Sequence, residues 1–209
     1  MMNRVARAFA AAAAVAALFA LVLRTGITIT NFAADGKGTG AALWDLARFF
    51  TIWTNIGVLA VMAGAAIAPH SVWGGARPQL VAVSSIFIVG SVYFLLLRHN
   101  MLDNTPIENV STVALHAVVP VLCVATFLAA RHGFLRWRHV WWGMVPAAIY
   151  GSYVLVRGLA EDSYPYWFLD YSELGLAVFV RNAILLTLTF GAVNALFIGL
   201  DKGLARLTR

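Results

Sequence analysis

One cysteine, two lysines and only 11% charged residues set the first limits on what this 209-residue chain can do. The lone Cys123 excludes an internal disulfide and any metal cluster built on thiolates. The only lysines, Lys37 and Lys202, fall outside the apolar runs, so a Schiff base to a retinal-like pigment is not expected. A single histidine of five, His116, lies within an apolar run, and a bis-histidine haem would need His99 or His139 to reach in from opposite ends. No His-Glu-x-x-His, Walker or Gly-x-Ser-x-Gly pattern occurs, so zinc-protease, nucleotide and serine-elbow readings lack support. No metal and no cofactor is expected.

Long apolar stretches are abundant instead. Hydrophobic residues make up 61% of the chain, and the mean hydropathy is +0.81. This composition belongs to an integral membrane protein rather than a soluble domain. The net charge of +6 does not point to nucleic acid, because Lys and Arg are scattered at the ends of apolar runs with no aromatic-interleaved basic patch.

Six spanning helices are expected, since a span needs about 20 apolar residues. The first covers 5–23. It follows Arg4 and Arg7 as a signal peptide would, but it ends in Leu-Val-Leu-Arg without a small-residue cleavage site, which favours a retained helix. Residues 24–44 read as a glycine-rich polar connection. The second helix is expected over 45–68 and the third over 79–97, followed by a polar turn over 98–106. The fourth covers 111–130, and after a basic stretch at 131–139 comes the fifth, 140–156, with Pro146 as a kink. An acidic, aromatic segment at 157–173 leads to the sixth helix, 174–200. No internal repeat and no linker divides the chain, so residues 1–209 form one all-α, polytopic membrane bundle.

Nine Lys/Arg (4, 7, 77, 131, 136, 138, 202, 206, 209) fall on the side of the termini and five (24, 37, 48, 98, 157) on the other. The positive-inside rule then puts both termini in the cytoplasm, in a plasma membrane or bacterial inner membrane. With that topology Thr51, Asn55, Ser91, His116, Ser152, Tyr153, Arg181 and Asn182 all fall in the outer leaflet. They lie within about 10 Å of one level at 1.5 Å per residue. Polar groups sharing a depth on several helices mark a partly hydrated, outward-opening cavity. The inner leaflet is poorer in them, with Ser84, Ser85, Thr187, Thr189 and Asn194 isolated by comparison.

His116 is the most telling of these residues. Pro120, four residues on, has no N–H for the carbonyl of residue 116, so a titratable ring and a freed acceptor meet at one turn. Each residue also has a plain structural reading. Thr51 can bond the carbonyl one turn back, Asn55 can bridge helices, Arg181 can snorkel to the headgroups, and Cys123 can be an apolar filler. A histidine bonded across helices would account for His116 without chemistry.

Three stretches carry a resemblance: Arg-Phe-Phe-Thr-Ile-Trp-Thr-Asn at 48–55, Leu-His-Ala-Val-Val-Pro at 115–120, and Tyr-Pro-Tyr-Trp-Phe-Leu-Asp at 164–170. Together with the six spans, they make the chain resemble the androgen-induced and androgen-dependent TFPI-regulating membrane proteins and their bacterial relatives. Animal members of that family are threonine hydrolases of fatty acid esters of hydroxy fatty acids. The resemblance implies Thr51 as nucleophile and His116 as base, with Asp170 at the family's acidic position, and a membrane lipid or fatty acid ester as substrate. Arg181, Asn55, Ser91, Asn182 and Asp170 are the candidate substrate-binding side chains. A transporter or lipid-binding protein without catalysis remains the alternative, because a polar cavity serves both; a scaffold without chemistry is the third reading.

Overall fold

The computed structural model describes residues 2–98 and 105–207, and every described regular element is helical. Most of the polar turn expected at 98–106 lies outside the described residues. Five helical segments are long and apolar enough to cross a membrane: Arg4–Ala34, Phe50–Ile67, Ala76–Leu97, Pro106–Ala129 and Tyr171–Leu207.

Helix α1 (Arg4–Ala34) runs past the expected end at 23. Thr28 and Thr30 donate their hydroxyls back to the carbonyls of Arg24 and Gly26, so the polar residues there extend the helix instead of breaking it. The expected helix over 45–68 is two helices, α2 (Thr39–Leu46) and α3 (Phe50–Ile67). They part at Phe49, whose extended backbone (φ −94°, ψ 124°) restarts the helix and leaves Thr51 in the first turn of α3.

Helix α4 (Ala76–Val92) ends in a π-turn over Tyr93–Leu97. Helix α5 (Pro106–Val113) starts on a capping box, Thr105 with Glu108, and passes through a second π-turn (Ala114–Val118) into α6 (Val119–Ala129). That π-turn is the chain's answer to Pro120, whose ring would collide with the carbonyl of His116 in an unbroken α-helix. Gly90 of α4 packs against the distortion; a Cβ there would lie 3.0 Å from the His116 carbonyl oxygen.

Helix α7 (Val140–Glu161) extends beyond 156, and α8 (Tyr171–Leu207) is interrupted only at Gly175, whose φ of +71° suits a residue without Cβ. Helix α7 is the expected fifth span, but its Trp, Tyr, Gly and Pro146 dilute its apolarity and it is not among the five. It nevertheless lies antiparallel along α8, with Gly143 beside Asn194, Ala147 with Phe190, and Tyr150 and Val154 with Phe179.

The core forms where α1, α3, α4 and α6 meet. A stripe of buried alanines on α1 (Ala6, Ala10, Ala13, Ala14, Ala17, Ala20) lets α3 and α6 approach closely. One end of the bundle collects the N-terminus, the α3–α4 and α6–α7 connections and the end of α8. There Asn3 donates to the Ala129 carbonyl and Arg7 to that of Ala66, and Asp201 accepts from the N–H groups of Gly133 and Leu135. The other end is tied by Arg48 to Asp45 (3.0 Å) and Ser163 (2.9 Å), and by Arg157 to Glu161 (2.9 Å).

Candidate functional site

Thr51 and His116 meet. Thr51 sits in the first turn of α3 and His116 in the π-turn before α6, and Thr51 Oγ1 lies 3.2 Å from His116 Nε2. Both side chains are buried, 9% and 7% exposed, so the pair is withdrawn from bulk water.

The proton positions follow from the partners. His116 Nδ1 is 2.9 Å from the carbonyl oxygen of Thr112, which can only accept, so Nδ1 carries the hydrogen. Nε2 is then the acceptor, and the Thr51 hydroxyl donates to it. The ring is further held by Tyr93, stacked at a centroid distance of 4.5 Å and 26° between planes. A backbone carbonyl and an aromatic plane thus orient the imidazole.

A narrow cavity of about 40 Å³ opens beside the pair, with room for a few waters. Val89, Val92, Tyr150, Tyr166, Leu186 and Phe190 are among its walls. Tyr166 enters from the connection between α7 and α8, and its hydroxyl interacts with those of Thr51 and Tyr150 and with the backbone at Phe50 and Thr51. Helix α3 has no side-chain cap; Ile52 donates its N–H to the Phe49 carbonyl, and the Tyr166 hydroxyl takes the place of a cap at Phe50 and Thr51. Burial pushes the Tyr166 phenol up, which keeps it a neutral hydrogen-bond donor. Tyr150 donates to the Arg48 carbonyl at 2.5 Å, bracing the α2–α3 break against α7.

The other sequence candidates stand apart from this cavity. Asn55 is buried one turn below Thr51 and donates its amide to the Thr51 carbonyl at 2.8 Å. It braces the turn that carries Thr51, and its Oδ1 has no partner among the described residues. Ser91 donates back to the Phe87 carbonyl. Arg181 is exposed and donates to Asn182, which in turn donates to the Phe168 carbonyl and ties down the connection carrying Tyr166. Asp170 accepts from the N–H of Glu173 at the start of α8. None of these lines the cavity among the described residues.

Sequence reasoning did not single out Tyr93, Tyr166 or the Thr112 carbonyl. Tyr166 lies within the Tyr-Pro-Tyr stretch, where one aromatic residue among several carries no mark of a hydrogen-bonding role. Tyr93 and Thr112 carry no sequence signal for a role defined by stacking and by a backbone atom. Among the described residues no group of three His, Cys, Asp or Glu side chains could hold a metal ion.

Comparison with known proteins adds no relative: no family model, no curated protein and no solved structure matches this chain.

Proposed function

We propose that this protein is a membrane-embedded hydrolase of lipid esters with Thr51 as nucleophile and His116 as general base. The observation that carries the reading is the Thr51 hydroxyl donating to an imidazole whose tautomer is fixed from behind by the Thr112 carbonyl. A threonine hydroxyl is a weak nucleophile until a neighbouring base takes its proton, and neutral imidazole is suited to that task. The resemblance at 48–55, 115–120 and 164–170 supports the same pair.

The chemistry runs in two halves. Thr51 Oγ1 attacks the acyl carbonyl as its proton passes to His116 Nε2, and the carbonyl oxygen takes up the negative charge. The Tyr166 hydroxyl, which sits at the backbone of Phe50 and Thr51, stabilises that oxyanion. The C–O bond to the alcohol breaks, and His116 returns the proton to the leaving oxygen, leaving an acyl ester on Thr51. A water then attacks this ester as His116 takes its proton; the bond from the acyl carbon to Thr51 Oγ1 breaks, His116 returns the proton to Oγ1, and the carboxylic acid departs.

The bilayer setting belongs to the same proposal. Helix α7, antiparallel to α8 over its length, completes six spans, and the excess of Lys/Arg at the end holding the termini orients that end to the cytoplasm. The cavity then lies in the outer leaflet, near the level of lipid esters.

A fluorophosphonate probe applied to membranes tests the reading. Thr51 should be labelled, and Thr51→Ala should abolish the label. Equal labelling of both proteins excludes Thr51 as the nucleophile. A binding or transport protein built on the same cavity would show ester turnover in neither form.

A further inference from the structure

A second cavity lies towards the end of the bundle that holds the termini, and the proposed chemistry does not use it. Helix α7 packs on α4 and α8, and a groove of about 990 Å³ opens between α7 and α3 with α4 at its side. It follows α3 from Val61 to Phe50, about 16 Å at 1.5 Å per residue. The groove thus runs from its mouth beside Arg77 along most of α3 toward the Thr51 end, long enough for an acyl chain to lie along the helix. Its walls are mostly apolar.

The mouth of this groove is strongly cationic. Arg77, Arg136 and Arg138 line it, and none of them is ion-paired to a carboxylate among the described residues. All three are close enough to His139 to act with its burial in holding that imidazole below its ordinary range. Helix α4 starts at the same place without a side-chain cap and without an acid in its first turn, so its N-terminal dipole adds to the positive field. Trp73 and Trp142 flank the mouth, with the Arg77 guanidinium 5.9 Å from the Trp142 ring. Tryptophan and arginine together at the end of an apolar slot are the features of a headgroup level.

We propose that this groove binds an anionic phospholipid of the leaflet on the side of the termini, with its phosphate among Arg77, Arg136 and Arg138 and one acyl chain lying along α3. Guanidinium forks match phosphate oxygens in pairs, and three of them with no competing carboxylate suit an anionic headgroup over a zwitterionic one. The site is independent of the Thr51–His116 pair, so it stands or falls apart from the proposed hydrolysis.

Native mass spectrometry of the full-length protein, loaded with defined lipids, tests the proposal. Phosphatidylglycerol should be retained at least about tenfold over phosphatidylcholine, and single Arg→Gln changes at 77, 136 or 138 should each weaken retention about fivefold, roughly 1 kcal/mol per arginine. The triple variant should lose the preference. Gly57→Phe gives a second, independent variant. Gly57 faces open space in the groove wall, so a phenyl ring there blocks the acyl chain and should abolish retention with every arginine intact. Equal retention of the two phospholipids, or an unchanged preference in a triple variant with wild-type thermal stability, overturns the proposal. So does retention by Gly57→Phe equal to wild type, or oleate held in preference to phosphatidylglycerol.

Discussion

Replacing Thr51 by valine keeps the branched shape of the side chain and deletes one O–H. The bonds lost are the 3.2 Å contact to His116 Nε2 and the contact with the Tyr166 hydroxyl, which keeps its partner Tyr150; the net cost of such a neutral hydrogen bond is about 1 kcal/mol. The imidazole keeps its bond to the Thr112 carbonyl and its stack on Tyr93, so the ring stays where it is. A loss of about 1 kcal/mol lowers Tm by roughly 2–4 °C in a chain of this size. Set against a typical stability of about 5–15 kcal/mol, it leaves the protein almost entirely folded. Turnover of a long-chain p-nitrophenyl ester should instead fall by about a thousandfold or more, equivalent to roughly 4 kcal/mol at 1.36 kcal/mol per decade. Destabilisation of about 1 kcal/mol cannot produce such a loss, so the two measurements separate a chemical role from a structural one. His116→Gln should lose a similar factor, and the double variant should be no worse than either single one, because base and nucleophile act as a unit. A valine variant that keeps more than a tenth of wild-type turnover refutes a nucleophilic Thr51. Two losses that multiply refute a coupled pair.

Two further outcomes follow from neighbouring contacts. Tyr166→Phe removes the phenolic donor beside Thr51 and should lower ester turnover by about 10²-fold with little change in fluorophosphonate labelling, whereas unchanged turnover removes Tyr166 from oxyanion stabilisation. Gly143→Ala should cost about 1–3 kcal/mol in thermal unfolding, because the added methyl would land on the Asn194 side chain, which accepts from Ser84 and donates to the Phe190 carbonyl; a wild-type Tm would show that α7 and α8 separate freely.

Much of the helical layout could be read before any coordinates, because apolar length alone marks a helix that must satisfy its backbone internally. The ends were harder to place. Residues 24–34 look like a loop by composition, yet Thr28 and Thr30 bond back to their own helix and carry α1 onward. The break at Phe49 has no proline or glycine to announce it; it is set by how α2 and α3 pack on α1, with Tyr150 of α7 bonded to the Arg48 carbonyl. That break places Thr51 in a first turn, where the Tyr166 hydroxyl meets both its side chain and its backbone.

The sequence by itself determined the bilayer-length apolar helices, the oddity of a histidine four residues before a proline in one of them, and a threonine at the head of another. Those are properties of residue type and spacing, which fix length, hydropathy and missing N–H groups regardless of neighbours. Tertiary structure alone decided which polar residues at that level face one another. Thr51 and His116 converge because the π-turn before Pro120 sets the ring's direction, while Arg181 and Asn182 on the same level turn away and pair with each other. Depth is a one-dimensional quantity that the chain encodes residue by residue. Direction around a helix axis depends on packing between segments far apart in sequence, and no single segment contains it.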